Sequence, residues 1–143
     1  MRITDSEPVF SIGSAARKLQ IAIPTLRLYE KEGLICPMRT STHRRLYSLN
    51  DLRIVETAQH LIHEDGLNFA GIRRLMAFLP CWKIRGCEPN LYPACKVPCA
   101  TDSPCWSSGL ALWRKCDGDC QTCPVYKMAS QIGDLSILDL ISA

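Results

Sequence analysis

The sequence predicts a mainly α-helical fold in two parts: a helix-turn-helix domain with a β-hairpin wing, followed by a small cysteine-rich module. Two observations predict this division. Up to residue 79, short segments with helical apolar spacing alternate with residues that favour helix caps and turns. Beyond that point lie eight of the nine cysteines. We therefore expect a first domain at residues 1–79, a module at 80–126 and a short C-terminal helix or tail at 127–143.

The first two helices are predicted from their ends. Ser11 is a good N-cap for a helix that runs to about Leu19 with one apolar face. After a short turn, Pro24 has the fixed φ that suits a first helical position, and Gly33 stands where a left-handed cap is favoured. Two short helices joined this tightly predict a helix-turn-helix.

The second helix is a candidate DNA recognition helix. Leu26 can face the core, while the neighbouring polar, long or aromatic side chains suit a surface that touches phosphates and base edges. The alternative is an ordinary surface helix with solvated charges. The candidate contact residues are Thr25, Arg27, Tyr29 and Lys31.

The segment that follows the second helix predicts a basic β-hairpin. Pro37 excludes a continuing helix, and residues 38–47 have the pattern of two strands around a polar tip. Such a wing can lie along a DNA backbone or enter the minor groove. The alternative is a solvated hairpin, which would not need several arginines beside a basic helix. The candidate contact residues are Arg39, His43, Arg44 and Arg45.

Two further helices complete the predicted first domain. Ser48 and Asp51 form a capping box, which starts a third helix that runs to about Glu64 and ends at Gly66. Asn68 can cap a fourth helix, whose apolar residues repeat at helical spacing. We interpret those apolar residues as core.

Charge and composition narrow the class of protein. Residues 17–45 carry seven basic and two acidic side chains, a local charge of +5, whereas residues 81–143 carry six of each. The basic half suits DNA phosphates. No membrane-spanning apolar run or signal peptide is visible, so a cytoplasmic protein is expected. No catalytic dyad or phosphate-cradling glycine loop is visible either, so we predict that the chain is not an enzyme. The alternative class is an accessory protein of a thiol-redox or electron-transfer enzyme.

Several signatures in order resemble one family. Thr25-Leu-Arg-Leu-Tyr-Glu-Lys-Glu-Gly-Leu34 is similar to the T-L-R-Y-Y-E-x-x-G-L signature of the MerR family of bacterial transcription regulators, and Arg45-Leu-Tyr47 with Asp51-Leu52 resembles its wing signature. Residues 39–41 and 64–72 look most like the HspR heat-shock repressor branch. The resemblance implies that Arg27 and Tyr29 contact the DNA backbone, that Thr25 lies in or near the major groove, and that Arg45 belongs to the wing.

The resemblance also implies partners, and the chain departs from the family in places. A homodimer on double-stranded promoter or operator DNA is expected, with RNA polymerase as a candidate partner. Leu28 stands where the family usually has Tyr, Ala22 where it often has a capping Ser, and His43-Arg44 where Gly-Tyr is common. The long dimerising helix that usually follows the domain is missing after Leu79, so another dimer contact is expected.

The cysteine-rich half contains an internal repeat. Pro-Cys-Trp occurs at residues 80–82 and again at 104–106, an offset of 24, and each copy is followed by three more spaced cysteines. Four thiols in each half suffice for one four-coordinate metal site or cluster. Because the segment has little apolar surface, metal ligation is expected to stabilise it; free or disulfide-paired thiols are the alternative. The candidate ligands are Cys81, Cys87, Cys95, Cys99, Cys105, Cys116, Cys120 and Cys123.

The spacing favours an iron–sulfur cluster, [4Fe-4S] above all, with zinc as the alternative. Only Cys120-x2-Cys123 fits a zinc knuckle, whereas Cys116-x3-Cys120-x2-Cys123 resembles the three-cysteine motif that holds a [4Fe-4S] cluster in radical enzymes. The Cys-Trp repeats also resemble two-CW cysteine modules. The sequence thus predicts a DNA-binding regulator that senses redox state, oxygen, nitric oxide or iron. In the alternative, a zinc module serves dimerisation or partner binding.

Overall fold

The computed structural model describes residues 4–79, 104–108 and 120–132. We call residues 4–79 the winged domain and the two later ranges the C-terminal segment. None of the helices in these ranges has the length and apolar character that a membrane crossing requires. The elements in chain order are β1 (Phe10–Ser11), α1 (Ile12–Leu19), α2 (Ile23–Lys31), β2 (Met38–Arg39), β3 (Arg45–Tyr47), α3 (Leu49–His63), α4 (Phe69–Ala77), α5 (Cys105–Ser108) and α6 (Pro124–Met128), with 3-10 turns at Cys120–Thr122 and Ala129–Gln131.

The helix-turn-helix follows the predicted ends. The Ser11 hydroxyl accepts a hydrogen bond from the Ser14 amide at 3.2 Å, which caps α1. At the other end of α1, Gln20 adopts the left-handed conformation with φ 57°. α2 starts from Ala22 without a side-chain cap and has a proline in its first turn. Gly33, at φ 80°, turns the chain after α2, so the predicted left-handed position is confirmed.

The wing is confirmed as an antiparallel hairpin and gains a strand that the sequence pattern did not predict. The sheet order is β1-β3-β2, with Phe10 opposite Tyr47, and Met38 opposite Leu46. At the tip, the Thr40 amide donates to the Arg44 carbonyl at 2.9 Å. β1 has only two residues, too few for a period-2 pattern, which is why the sequence did not indicate it.

The third and fourth helices begin as predicted. The Asp51 amide donates to the Ser48 hydroxyl at 3.2 Å, and the Ser48 amide donates to the Asp51 carboxylate at 2.8 Å, so both halves of the capping box form. The Asn68 side chain accepts from the Gly71 amide at 2.8 Å and caps α4. The core between these helices and the helix-turn-helix is built from fully buried side chains, among them Leu26, Leu34, Tyr47, Ile54, Val55 and Ile72.

The C-terminal segment packs into this same core. Val125, Tyr126 and Ala129 are buried among the residues of the winged domain. The Thr57 hydroxyl on α3 also donates to the Ser130 carbonyl at 2.6 Å. The sequence predicts a module that follows the first domain, and the described part of that module folds back onto it. The predicted boundary at residue 80 and the predicted helix at the end of the tail lie outside the described residues.

Candidate nucleic-acid interface

Helix α2 turns one face to the core and another to solvent. Leu26 is fully buried, whereas Arg27 and Lys31 are exposed and Thr25 is partly exposed. Because residues three to four apart share a helix face, Leu26 fixes which side of α2 meets the protein. Three of the four predicted contact residues of α2 are therefore accessible to a ligand.

Tyr29 differs from those three residues. Its side chain is 4% exposed, and its ring packs edge-on against Phe69 with the ring centroids 5.4 Å apart. Burial raises the pKa of its hydroxyl. The expectation that Tyr29 belongs to the exposed face of α2 is thus corrected: the ring anchors α2 to α4. The predicted contact of Tyr29 with the DNA backbone stays a prediction.

Glu30 ties the wing to α2. Its carboxylate lies 2.5 Å from Arg45 Nε and 3.5 Å from Arg39 Nη2, so one glutamate on α2 pairs with an arginine on each strand of the wing. The pair with Arg45 is the more protected, since both side chains are partly buried. The sequence predicts DNA contacts for both arginines and does not predict their pairing with Glu30. One signal for this pairing was present: Glu30 is an acidic residue within a basic surface.

Four of the eight predicted contact residues line one cleft: Arg27 of α2 and His43, Arg44 and Arg45 of the wing. The other four, Thr25, Tyr29, Lys31 and Arg39, are not part of its lining. This cleft has a volume of about 560 Å³ and lies between the start of α1, α2 and the wing. Within the described ranges, neither Arg27 nor Arg44 forms an ion pair with a carboxylate. Their charges are therefore available to an anionic ligand. The lining residues are Ser11, Ile12, Arg27, Thr40, Thr42, His43, Arg44, Arg45 and Leu46.

The wing tip explains one departure from the family pattern. His43 adopts a left-handed conformation with φ 62°, a region that favours glycine. The Thr40 carbonyl accepts from the His43 amide at 2.9 Å, and the Thr40 hydroxyl accepts from the Arg44 amide at 3.2 Å. The tip therefore keeps a tight turn without glycine and places the exposed His43 and Arg44 at its end.

A buried polar network lies behind the wing. The Asp51 carboxylate accepts hydrogen bonds from the Tyr126 hydroxyl and from Gln121 Nε2, the latter at 3.0 and 3.1 Å. Burial raises the pKa of Asp51. Burial and the neighbouring Asp51 carboxylate raise the pKa of Tyr126 well above its ordinary value. The sequence identified Asp51 as a helix cap, but these partners stand 70 and 75 residues away and had no local signal.

The predicted metal ligands are only partly described. Cys105 begins α5 and Cys123 directly precedes α6, and both are partly buried against the core. Cys120 begins a 3-10 turn. Among the described residues, no three His, Cys, Asp or Glu side chains come together as a metal site. The other five predicted ligands, Cys81, Cys87, Cys95, Cys99 and Cys116, lie outside the described ranges, so the metal site stays a prediction.

Comparison with known proteins agrees with the resemblance for the first half of the chain. The family described as MerR HTH family regulatory protein matches residues 10–79. Heat shock protein HspR of Streptomyces coelicolor is 36% identical over 74 residues, which are 52% of this chain and 49% of HspR. The HTH-type transcriptional regulator GlnR of Bacillus anthracis and that of Bacillus cereus are each 37% identical over 71 residues, 50% of this chain and 54% of theirs.

The family match at residues 10–79 lies within the winged domain. The chain spans about half the length of these relatives. Their names describe a heat shock protein and transcriptional regulators. The matched stretch ends at Leu79, before the first cysteine of the repeat. Residues 10–79 are a MerR-family helix-turn-helix domain, homologous to the corresponding part of HspR and GlnR.

Proposed function

We propose that this protein is a cytoplasmic transcription regulator that binds double-stranded DNA with α2 and the wing. The observation that carries the proposal is the cleft that Arg27 of α2 shares with Arg44 and Arg45 of the wing. The first turns of α2 enter the major groove, and the wing follows the adjacent backbone or minor groove. The names of the homologous regulators support this function.

The basic residues of the cleft differ in whether a carboxylate pairs with them, and we assign them different roles on that basis. Arg27 and Arg44 are exposed and have no carboxylate partner within the described ranges, so they bind phosphates directly. Arg45 is held by Glu30 and mainly fixes the wing against α2. Binding that depends on phosphate contacts weakens steeply with salt, by a slope of about −0.9 in log K per neutralised phosphate.

DNA binding is tested with arginine variants. A preferred duplex is first selected from a random library, and fluorescence anisotropy then measures affinity at several salt concentrations. We expect Arg27→Ala and Arg44→Ala each to weaken binding about tenfold and to reduce the salt slope by about 1. Arg53→Ala is the matched control, because Arg53 is an exposed arginine on α3 that pairs with Asp5 away from the cleft. Wild-type affinity in both cleft variants would contradict the proposed interface.

We also propose that the protein acts as a homodimer at promoters, where RNA polymerase is its partner. Leu75 and Phe78 at the end of α4 support a contact between subunits, because both are large apolar side chains exposed to solvent, Phe78 by 57%. Light scattering on the purified protein measures the mass. We expect a dimer for the wild type and a monomer for Phe78→Glu; a monomeric wild type would exclude this assembly.

For the cysteine-rich half we propose an iron–sulfur cluster that senses redox state, oxygen, nitric oxide or iron, with structural zinc as the second candidate. The eight thiols form two sets of four, each beginning at a Pro-Cys-Trp repeat, and suit all-thiolate ligation; Cys105 and Cys123 are partly shielded from solvent. A bound cluster would supply a reversible one-electron redox change. The residues that would hold it are Cys81, Cys87, Cys95, Cys99, Cys105, Cys116, Cys120 and Cys123.

One measurement separates the two candidates. The protein is purified without oxygen, its ultraviolet-visible spectrum is recorded, and iron, sulfide and zinc are assayed on the same sample. A brown protein with a broad absorption band at about 400 nm and equal amounts of iron and sulfide supports the cluster. A colourless protein with stoichiometric zinc supports the structural module. A protein without either metal would exclude both.

A further inference from the structure

The C-terminal segment holds the wing at both of its roots. We define the roots as the backbone of Cys36, just before β2, and the capping pair Ser48 and Asp51, just after β3. We propose that Tyr126 and Gln121 are positioning residues that hold the wing against α2, so that the segment carrying Cys123 adjusts DNA affinity through the wing. This inference rests on the proposed DNA-binding function and adds a route by which the cysteine-rich half acts on it.

The first root is held by its backbone. The Cys36 amide donates to the Tyr126 hydroxyl at 2.9 Å, and Gln121 Nε2 donates to the Cys36 carbonyl at 2.7 Å. Both backbone groups of Cys36 are therefore bound by the C-terminal segment. β2 starts two residues later, and both of its residues are exposed. The position of β2 consequently depends on its pairing with β3, on the long Arg39–Glu30 ion pair and on this root.

The second root is held by side chains. The Ser48 hydroxyl donates to Gln121 Oε1 at 2.7 Å, while the Asp51 carboxylate accepts from Gln121 and from the Tyr126 hydroxyl. The Tyr126 hydroxyl thus joins the Cys36 amide to the Asp51 carboxylate, and Gln121 joins the Cys36 carbonyl to both members of the capping box. Four of these residues are buried, so their hydrogen bonds are shielded from competing water: Ser48, Asp51, Gln121 and Tyr126.

Trp106 supports Tyr126 from the other side. Its ring meets the Tyr126 ring edge-on with the centroids 5.0 Å apart, and its Nε1 donates to the Gly33 carbonyl at 3.1 Å. Trp106 directly follows Cys105, and Gln121 and Tyr126 flank Cys123. A shift of the segment that carries these cysteines would therefore move the groups that bond the turn after α2 and the wing roots.

Helix α2 has anchors that do not involve the C-terminal segment. Leu26 is fully buried, Tyr29 packs on Phe69, and Arg73 Nη1 lies 2.6 Å from the Glu32 carboxylate. Loss of Tyr126 contacts is therefore expected to move the wing more than α2. This difference separates a positioning role from a general loss of stability.

The test is a double-mutant cycle on DNA affinity, measured on the full chain with the selected duplex and under one fixed set of oxygen-free conditions. Tyr126→Phe keeps the ring and removes the hydroxyl that joins Cys36 to Asp51. We expect it to weaken binding about fivefold to tenfold and to shrink the Arg44→Ala penalty from about tenfold to less than about twofold. The Arg27→Ala penalty should stay at about tenfold in the same background.

Thr57→Val is the matched control. Thr57 also bonds the C-terminal segment, through Ser130, but it lies in the middle of α3, away from the wing roots. Thermal unfolding first defines a temperature at which each variant is folded. We expect Thr57→Val to lower the melting temperature and to leave the Arg44→Ala penalty at its wild-type value. If Tyr126→Phe does not fold, Gln121→Met takes its place, because it removes the bonds to Cys36, Ser48 and Asp51 and keeps a side chain of similar length.

The outcomes distinguish this inference from the proposed function. If the Arg44→Ala and Arg27→Ala penalties are both unchanged in the Tyr126 or Gln121 variant, the positioning role is wrong and DNA binding stands. If both penalties shrink equally, the segment acts on the whole domain and the wing-specific route is wrong. If neither arginine matters in the wild type, the proposed interface fails and this inference fails with it.

Discussion

The winged domain and the C-terminal segment contribute to one core, but they are stabilised in different ways. Helices α1, α3 and α4 of the winged domain each begin at a side chain that caps them locally. In the C-terminal segment, α5 has four residues and α6 five, and helices this short are not stable in isolation. Burial against the winged domain and hydrogen bonds to distant residues must therefore hold them in place.

The molecule is therefore most sensitive to substitution where the two regions meet. A change within a capped helix has a local effect, because its neighbours are stabilised by their own caps and apolar faces. A change at the junction of the two regions affects both of them. Asp51 is such a junction: its carboxylate caps α3 and also receives Gln121 and Tyr126.

Asp51→Ala is expected to have the largest effect. The substitution removes the carboxylate half of the capping box and leaves the Ser48 amide and the donors of Gln121 and Tyr126 buried without this acceptor. We expect the free energy of unfolding to fall by at least about 3 kcal/mol, since three donors lose this buried acceptor and each unsatisfied buried group costs about 1–3 kcal/mol. Urea denaturation followed by circular dichroism measures the change.

Asp5→Ala is the control for this substitution. Asp5 pairs with Arg53 at 2.6 Å, but both side chains are about half exposed. Exposed ion pairs contribute little, so we expect a change of less than about 0.5 kcal/mol. Equal losses for Asp5→Ala and Asp51→Ala would contradict the view that Asp51 is the junction of the two regions.

Most of the winged domain was predictable because its signals are local. Ser11, Ser48 with Asp51, and Asn68 each form the cap that their positions in the sequence predict. Gly33 takes the predicted positive φ. The docking of Tyr126 was not predictable, since its bond to Asp51 joins residues 75 positions apart and follows no periodic pattern.

Tyr47→Phe tests the interior of the winged domain through pH. The Tyr47 hydroxyl is buried without a hydrogen-bond partner among the described residues, and burial, followed by the Glu30 charge, raises its pKa to about 12. An unfolded tyrosine loses its proton near pH 10, so between pH 10 and 12 deprotonation favours the unfolded state. This residue therefore lowers the free energy of unfolding as pH rises through that range, by about 3 kcal/mol at most.

Removal of the Tyr47 hydroxyl should remove its contribution to the pH dependence of the free energy of unfolding. We expect Tyr47→Phe to match the wild type within about 1 kcal/mol at pH 7, because no described hydrogen bond is lost, and to lose less stability toward pH 11. Melting temperatures at pH 8, 9, 10 and 11 for both proteins provide the comparison. If the melting temperatures of the two proteins fell in parallel with pH, the Tyr47 hydroxyl would already be solvated or hydrogen-bonded in the folded protein.

Glu30→Gln tests the contact between α2 and the wing. The substitution removes the charge that pairs with Arg45 and Arg39 and keeps the shape of the side chain. We expect the free energy of unfolding to fall by about 1 kcal/mol, because the Arg45 pair is partly buried while the Arg39 pair is exposed and long. Urea denaturation at low and high salt measures this change in the free energy of unfolding. A change that is equally large at high salt would contradict an ionic contact between Glu30 and the arginines.

The candidate site was predictable in its residue types and less so in its geometry. Charge and spacing placed Arg27 and Arg44 on one basic surface, and the structure brings them to one cleft. Helical spacing could not show that Tyr29 packs on Phe69, since that contact joins α2 to a helix 40 residues later. Nor could it show that Glu30 reaches across to the wing, because the hairpin's approach to α2 is a tertiary property.

Gln20→Gly is expected to have the smallest effect and tests the local character of the winged domain most directly. Gln20 is exposed and holds φ 57° at the end of α1, where a residue with a Cβ is strained and glycine is not. We expect the free energy of unfolding to rise by about 0.5 kcal/mol, as glycine relieves the strain but adds freedom to the unfolded chain. Arg17→Gly, inside α1, is the matched control and should lower it by about 1 kcal/mol. Both positions are exposed and belong to one helix, so opposite signs would support strain in the left-handed backbone of Gln20. Equal signs would show that the left-handed cap does not strain Gln20.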